Sequence, residues 1–335
     1  MTLLLGFGVA LVLGYTVNRF LVIPGLQRHA VLDHPTARSS HDTPVVRGGG
    51  IGVIVGYLVG GVTSVVVHAL FGEPLGHGWV VASMALAAAV VCGAVGLADD
   101  LDSFSATTRL FFQIVLGLIF GFLVFLLSPW GWSVVFAIAA SVVLSVNAIN
   151  FMDGVNTLIT GWAALIGLWY TVISVSTSQT LLAVVAASLA GAAVAFLPIN
   201  KSPAQAFLGD VGSYAIGGIA IALFWLLWVS GASRMMIAAP FVIPLFDVLV
   251  TLVKRVYAGE NIFQPHRKHY YQRLNQAGLS HEAVGAVFAV AVIACCLVTF
   301  TVSRLLVFMV WGLVSIGYAA LPHIVNTVRQ KRVQS

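Results

Sequence analysis

The stretch WSVVFAIAASVVLSVNAINFMDG, residues 132–154, decides the class of fold. From Trp132 to Val146 it carries no charged residue and runs on without apolar–polar alternation, the pattern of a membrane helix rather than a barrel strand. Its polar groups then arrive together: Asn147 and Asn150, three residues apart on one helix face, then Asp153, with Gly154 able to end the helix. The reading is a helix that crosses a bilayer and holds its chemistry at one end.

Composition extends this to the whole chain. Of the 335 residues 60% are apolar and only 8% charged, and the mean hydropathy is +1.02, whereas charged residues make up about a quarter of a soluble domain. The expected fold is all-α, a polytopic integral membrane protein of about 10–11 transmembrane helices with cytoplasmic active-site loops, in one domain spanning 1–335. Spans are expected near 2–23, 48–70, 79–98, 109–128, 132–149, 158–176, 180–197, 211–230, 235–255, 283–301 and 304–324. Gly56/Gly60 and Gly117/Gly121 are small-xxx-small pairs suited to close helix packing. There is no internal repeat.

Alternating these spans across the bilayer puts all but Arg234 and Arg304 of the 16 basic residues on or near one side, which the positive-inside rule makes cytoplasmic. The N-terminus is then outside and the C-terminal Arg329–Arg332 tail inside; the resemblance drawn below adds a bacterial inner membrane as the expected location. The first span reads as a retained helix, since its charge follows it. The basic excess is accounted for by topology and anionic membrane lipid, so no nucleic-acid partner is expected. Cys92, Cys295 and Cys296 lie in apolar spans without metal-ligand spacing and read as packing residues.

The acids fall on the same side. Of 11 carboxylates only Glu73 is placed outside, although membrane topology depends little on Asp and Glu. Asp99-Asp100-Leu101-Asp102, followed by Arg109, is a solvated acidic turn or a group held together by a divalent cation. Asn147, Asn150 and Asp153 offer hard oxygen donors for Mg2+ or sugar hydroxyls, or amides that tie helices together. Phe207-Leu-Gly209-Asp210-Val-Gly212-Ser213 brackets an acid with two glycines, and the helix start beyond could present free N–H groups to phosphate; the competing reading makes Asp210 an N-cap. The first cytoplasmic loop ends in Arg47-Gly48-Gly49-Gly50, whose amides could also meet phosphate. The longest loop carries His266-Arg267-Lys268-His269-Tyr270-Tyr271, donors for a diphosphate or a basic patch against lipid headgroups. Asp247, seven and eight residues before Lys254 and Arg255, reads as a structural ion pair or polar network.

Taken in order, these motifs resemble the polyprenyl-phosphate N-acetylhexosamine-1-phosphate transferases, membrane enzymes of the glycosyltransferase 4 family. Asp99-Asp100-x-x-Ser103 with Arg109 is similar to the family's aspartate-rich motif, Asn147-x-x-Asn150-x-x-Asp153-Gly154 to its asparagine–aspartate motif, and Phe207 to Ser213 to its metal-binding loop. His266-Arg267-x-His269 stands at its histidine loop without the three-histidine run of the lipid I enzymes, which points toward the O-antigen-initiating branch. The resemblance implies transfer of N-acetylhexosamine 1-phosphate from a UDP-sugar to undecaprenyl phosphate, with release of UMP. It implies Mg2+, with Mn2+ as the alternative, held by Asp210 and Asn150. Arg47, Arg109, Asn147, Asn150 and Arg267 would bind substrate, and Asp99, Asp100, Asp153, His266 and His269 would act in catalysis. A homodimer is carried as a candidate assembly. The rival class is a proton- or ion-coupled transporter, which intramembrane acids also suit, but transporters gather such acids at the midplane of repeated halves.

Overall fold

The structure, a computed structural model, describes residues 1–33, 44–72, 76–261, 264, 266–301 and 303–334. Residues 34–43 of the loop before α3, and Glu73, lie outside the described residues.

Among the described residues eleven helical spans are long and apolar enough to cross a membrane, and they fall where the hydropathy places them. In chain order the helices are α1 (Thr2–Val17), α2 (Ile23–Arg28), α3 (Gly50–Phe71), α4 (Gly78–Asp102), α5 (Ala106–Leu126), α6 (Ser133–Met152), α7 (Leu158–Ser176), α8 (Thr180–Asn200), α9 (Gly209–Val229), α10 (Arg234–Ala238), α11 (Val242–Tyr257), α12 (Tyr270–Gln276), α13 (His281–Leu297) and α14 (Arg304–Gln334). A π-helical turn joins α1 to α2, and α10 runs into α11 through one 3-10 turn, so each pair makes one span.

Burial separates centre from rim. The most apolar windows of α8 and α9 are 83% and 89% buried, against 22% for α5 and for α14, so α8 and α9 form the core and the other two face lipid. Small residues set the spacing. A Cβ on Gly60 would lie 2.6 Å from the Gly6 carbonyl and one on Gly117 2.6 Å from Cα of Ala139, so both glycine pairs seen in the sequence mark real seams, α3 on α1 and α5 on α6.

A small sheet on the motif-bearing face adds to the all-helical expectation. Strands β1 (Leu32–Asp33), β2 (Val45–Arg47) and β3 (Ala206–Phe207) pair in that order, β1 antiparallel to β2 and β2 parallel to β3. The register opposes Arg47 to Phe207, which places the end of the first loop beside the start of α9. Strands this short carry no periodic signal that hydropathy can expose.

Candidate active site

The site is built where α4, β2, α6 and α9 end together. Asp100, at the C-terminal end of α4, turns a carboxylate that is 2% exposed onto the start of α9: Oδ1 accepts from the Asp210 amide at 3.0 Å and Oδ2 from the Val211 amide at 2.9 Å. Those amides would otherwise be orphaned, and a carboxylate beside a helix N-terminus is favoured by the dipole. Arg47 stands over both acids, with Nε 2.7 Å from Asp100 Oδ1 and a terminal nitrogen 3.0 Å from Asp210 Oδ2. Burial works against the Arg47 charge, yet Asp210 and Asp100 outweigh it and raise the pKa.

Glycine is required for this approach. Gly209 has φ +75, and a Cβ there would lie 2.7 Å from Asp100 Oδ2; one on Gly96 would lie 2.2 Å from the Asp210 carbonyl. Gly209 thus admits the Asp100 side chain and the Gly48 backbone, and Gly96 the Asp210 backbone. The same holds for the first loop, where the Gly49 and Gly50 amides donate to Phe207 O and Leu208 O, both at 2.9 Å. The Gly49, Gly50, Asp210 and Val211 amides therefore bond to protein acceptors rather than standing free for phosphate.

Asp99 is turned the other way. It is buried and accepts from the Phe104 amide at 2.8 Å and the Tyr214 hydroxyl at 2.7 Å, with Arg109 Nε at 3.4 Å. Arg109 also donates to Phe104 O, and its side chain remains 36% exposed. Asp99 and Asp100, expected as catalytic groups, both have their oxygens occupied by protein donors. Tyr214, which no motif flagged, is the hydroxyl partner that holds Asp99.

The amide pair divides. Asn147 donates to Gln113 on α5 and to Val143 O, so it ties α5 to α6 and its expected place in substrate binding is taken by a helix contact. Asn150 lies over the first turn of α9, where its Oδ1 accepts from Ser213 at 3.1 Å. Asp153 follows the end of α6, half-buried, and among the described residues its carboxylate has no hydrogen-bond donor. Burial pushes its pKa well above the usual carboxylate range, and the charges of Asp210 and Asp100 push it the same way.

The histidine loop closes over α6 from the other side. His269 is buried, its Nδ1 3.0 Å from Asp247 Oδ1 and its ring stacked on Phe151 at 6.4 Å. Asp247 also accepts from the amides of Tyr270 and Tyr271 and from the Tyr318 hydroxyl of α14. Asp247 is structural, as its position suggested, but its partners are His269 and α12; Arg255 pairs with Glu260, and Lys254 donates to Tyr270. Tyr271 donates to Phe151 O at 2.9 Å, next to Asn150. His266 lies against His269, ring centroids 4.8 Å apart, and burial, then the facing His269, lowers its pKa to about 4, so it is neutral at neutral pH. Arg267 does not join the acids. Its pocket, about 380 Å³, is lined by Lys254, Arg255, Lys268 and Arg273 and by none of Asp100, Asn150, Asp153 and Asp210.

Among the described residues no three His, Cys, Asp or Glu side chains form a preassembled metal cage. The oxygens of Asp210, Asp153 and Asn150 nevertheless suit Mg2+, which protein commonly holds through one or two carboxylates while substrate phosphates complete the shell. An ionisable carboxylate without a donor, facing two further acids, is the arrangement a cation would relieve.

Comparison with known proteins agrees with this architecture. Residues 82–229, from α4 through α9, match glycosyl transferase family 4. A decaprenyl-phosphate N-acetylglucosaminephosphotransferase of Mycobacterium tuberculosis is 30% identical over 301 residues, covering 77% of this chain and 72% of that protein. Its Mycobacterium leprae counterpart is 29% identical over 295 residues, 75% of this chain and 71% of the relative. A phospho-N-acetylmuramoyl-pentapeptide-transferase of Clostridium perfringens is 31% identical over 154 residues, 46% of this chain and 48% of that protein. The chain therefore belongs to the polyprenyl-phosphate N-acetylhexosamine-1-phosphate transferase family, as a multi-pass membrane transferase.

Proposed function

We propose that the protein transfers an N-acetylhexosamine 1-phosphate from a UDP-sugar to undecaprenyl phosphate at the cytoplasmic face of a bacterial inner membrane, the first step of a cell-surface polysaccharide such as O antigen. The observation that carries this is the meeting of Arg47, Asp100 and Asp210 within direct contact of one another, with Asn150 of α6 bonded to Ser213 one turn further along α9 and the half-buried Asp153 carboxylate near the two acids. A lipid-phosphate oxygen attacks the β phosphorus of the UDP-sugar. The bond from that phosphorus to the bridging oxygen breaks, and UMP leaves with its electron pair.

Both partners are anionic, so the barrier is largely electrostatic. Arg47, 38% exposed and already held in place by Asp100, is preorganised to meet phosphate oxygens, and Arg109 supplies a second accessible guanidinium. Asp210, Asp153 and Asn150 are the candidate holders of Mg2+ or Mn2+, which when bound would offset phosphate charge. Asp99 and Asp100 act here as positioning groups, because their oxygens already accept from protein donors. His266, neutral and only partly covered, is the loop imidazole with access to substrate. A lipid phosphate is nucleophilic without activation, which favours direct displacement over a covalent enzyme intermediate.

The test is UMP release by purified protein from a panel of UDP-N-acetylhexosamines. Release that needs both undecaprenyl phosphate and Mg2+ is expected. No release from any member of the panel would overturn the proposal.

A further inference from the structure

The loop after α11 faces two ways. Its histidines turn in toward α6, while its cations turn out into the pocket between α11 and α12 that Arg267 lines. Glu260 neutralises two of the cations there, Arg255 and Lys268. Lys254 and Arg273 have no carboxylate partner among the described residues. Instead both lie over the ring of Tyr270, Lys254 at 4.9 Å and Arg273 at 5.8 Å from its centroid. Arg273 also meets His323 of α14 at 3.1 Å. Two like charges held against one aromatic ring repel, and the ring's own attraction is modest. Arg267 adds a third positive charge to the same lining.

Position says which anion relieves this. Lys254 lies in the last turn of α11, with Val253 51% and Val256 60% exposed beside it, and on α14, next to His323, Ile324 is 54% exposed. These apolar faces belong to spans that cross the bilayer, so the cations stand at headgroup level with hydrocarbon directly beneath. Basic pockets at this depth suit lipid phosphate.

We propose that Lys254, Arg273 and Arg267 form a site for the phosphodiester headgroup of an anionic membrane lipid, separate from the acidic site at the start of α9, with the acyl chains lying against α11 and α14. The headgroup phosphate is shared between Lys254 and Arg273, and Tyr270 keeps the two cations apart.

The experiment compares retention of phosphatidylglycerol and phosphatidylcholine by the purified full-length protein in native mass spectrometry. The wild type is expected to prefer phosphatidylglycerol by roughly ten- to thirtyfold, the size expected from two cations near a membrane surface. Lys254→Gln with Arg273→Gln should abolish the preference, while Lys254→Arg with Arg273→Lys, which keeps both charges, should retain most of it. No preference in the wild type, or a preference that survives the paired glutamines, overturns the proposal. A soluble source is tested with inorganic pyrophosphate on delipidated protein: binding that is lost in the glutamine pair while phosphatidylglycerol retention is unchanged would assign the pocket to a soluble phosphate and overturn the lipid assignment. These measurements contain no nucleotide sugar or polyprenyl phosphate, so their outcome is independent of the transferase activity.

Discussion

Asp247 lies 3.0 Å from Nδ1 of His269, across 22 residues of chain, and the same carboxylate accepts from the first two amides of α12 and from Tyr318 of the last span. A single buried acid thereby fixes the histidine loop, the short helix that follows it and α14. Removing one partner of a buried charged network strands the others, at a cost of about 1–3 kcal/mol for each polar group left unpaired. Asp247→Ala should therefore lower the melting temperature in detergent sharply, and Tyr318→Phe only slightly, which a thermal-shift series will read. An alanine variant as stable as wild type would remove the anchoring role.

Asp210 differs from Asp100 in what its side chain does. Among the described residues the Asp210 carboxylate bonds to Arg47 alone, whereas Asp100 caps α9. Asp210→Asn should thus keep the wild-type melting temperature and lose turnover by about a hundredfold or more, the scale of removing one transition-state electrostatic contact. Asp100→Asn should lose both activity and stability. Equal melting temperatures for the two variants would contradict the division.

Arg47 competes with any cation for Asp210. Arg47→Gln should reduce turnover, since a phosphate-facing guanidinium is gone, while lowering the Mg2+ concentration at half-maximal rate. An unchanged or raised Mg2+ requirement would separate Arg47 from the metal-bearing acids.

The pH dependence of stability has a predictable sign. His266 has its pKa lowered to about 4 in the folded protein, below the ordinary 6.5. Between those values the unfolded chain binds the proton more readily, so stability from this group is present above about pH 6.5 and is lost as pH falls toward 4. Asp153, raised by burial, acts in the opposite direction, losing stability as pH rises through its folded value. Replacing His266 by Gln should flatten the acid-side fall in melting temperature, and Asp153→Asn should remove the loss that comes as pH rises. A His266→Gln variant with the wild-type profile would show the imidazole to be solvated.

The spans were legible because each is a long apolar run, and the placement of the motifs on one face followed from alternation alone. The partners were not. Asp100 reaches the amide of Asp210 across 110 residues, and Tyr214 reaches Asp99 across 115, distances at which spacing carries no information. Asn147 shows the same limit: its apolar surroundings suit a ligand-facing amide and a helix-tying amide equally, and only Gln113 on the neighbouring helix decides. The glycines of Gly209-Asp210-x-Gly212 were visible as residues that permit close approach, but whether backbone or ligand approaches depends on packing.

The central claim is tested most directly by following the β phosphorus. Incubated with UDP-N-acetylglucosamine labelled at that atom and with undecaprenyl phosphate in Mg2+, the protein should move the label into the lipid product and release unlabelled UMP. Label remaining in water-soluble UDP while the lipid carries sugar alone would show glycosyl rather than sugar-phosphate transfer and contradict the account.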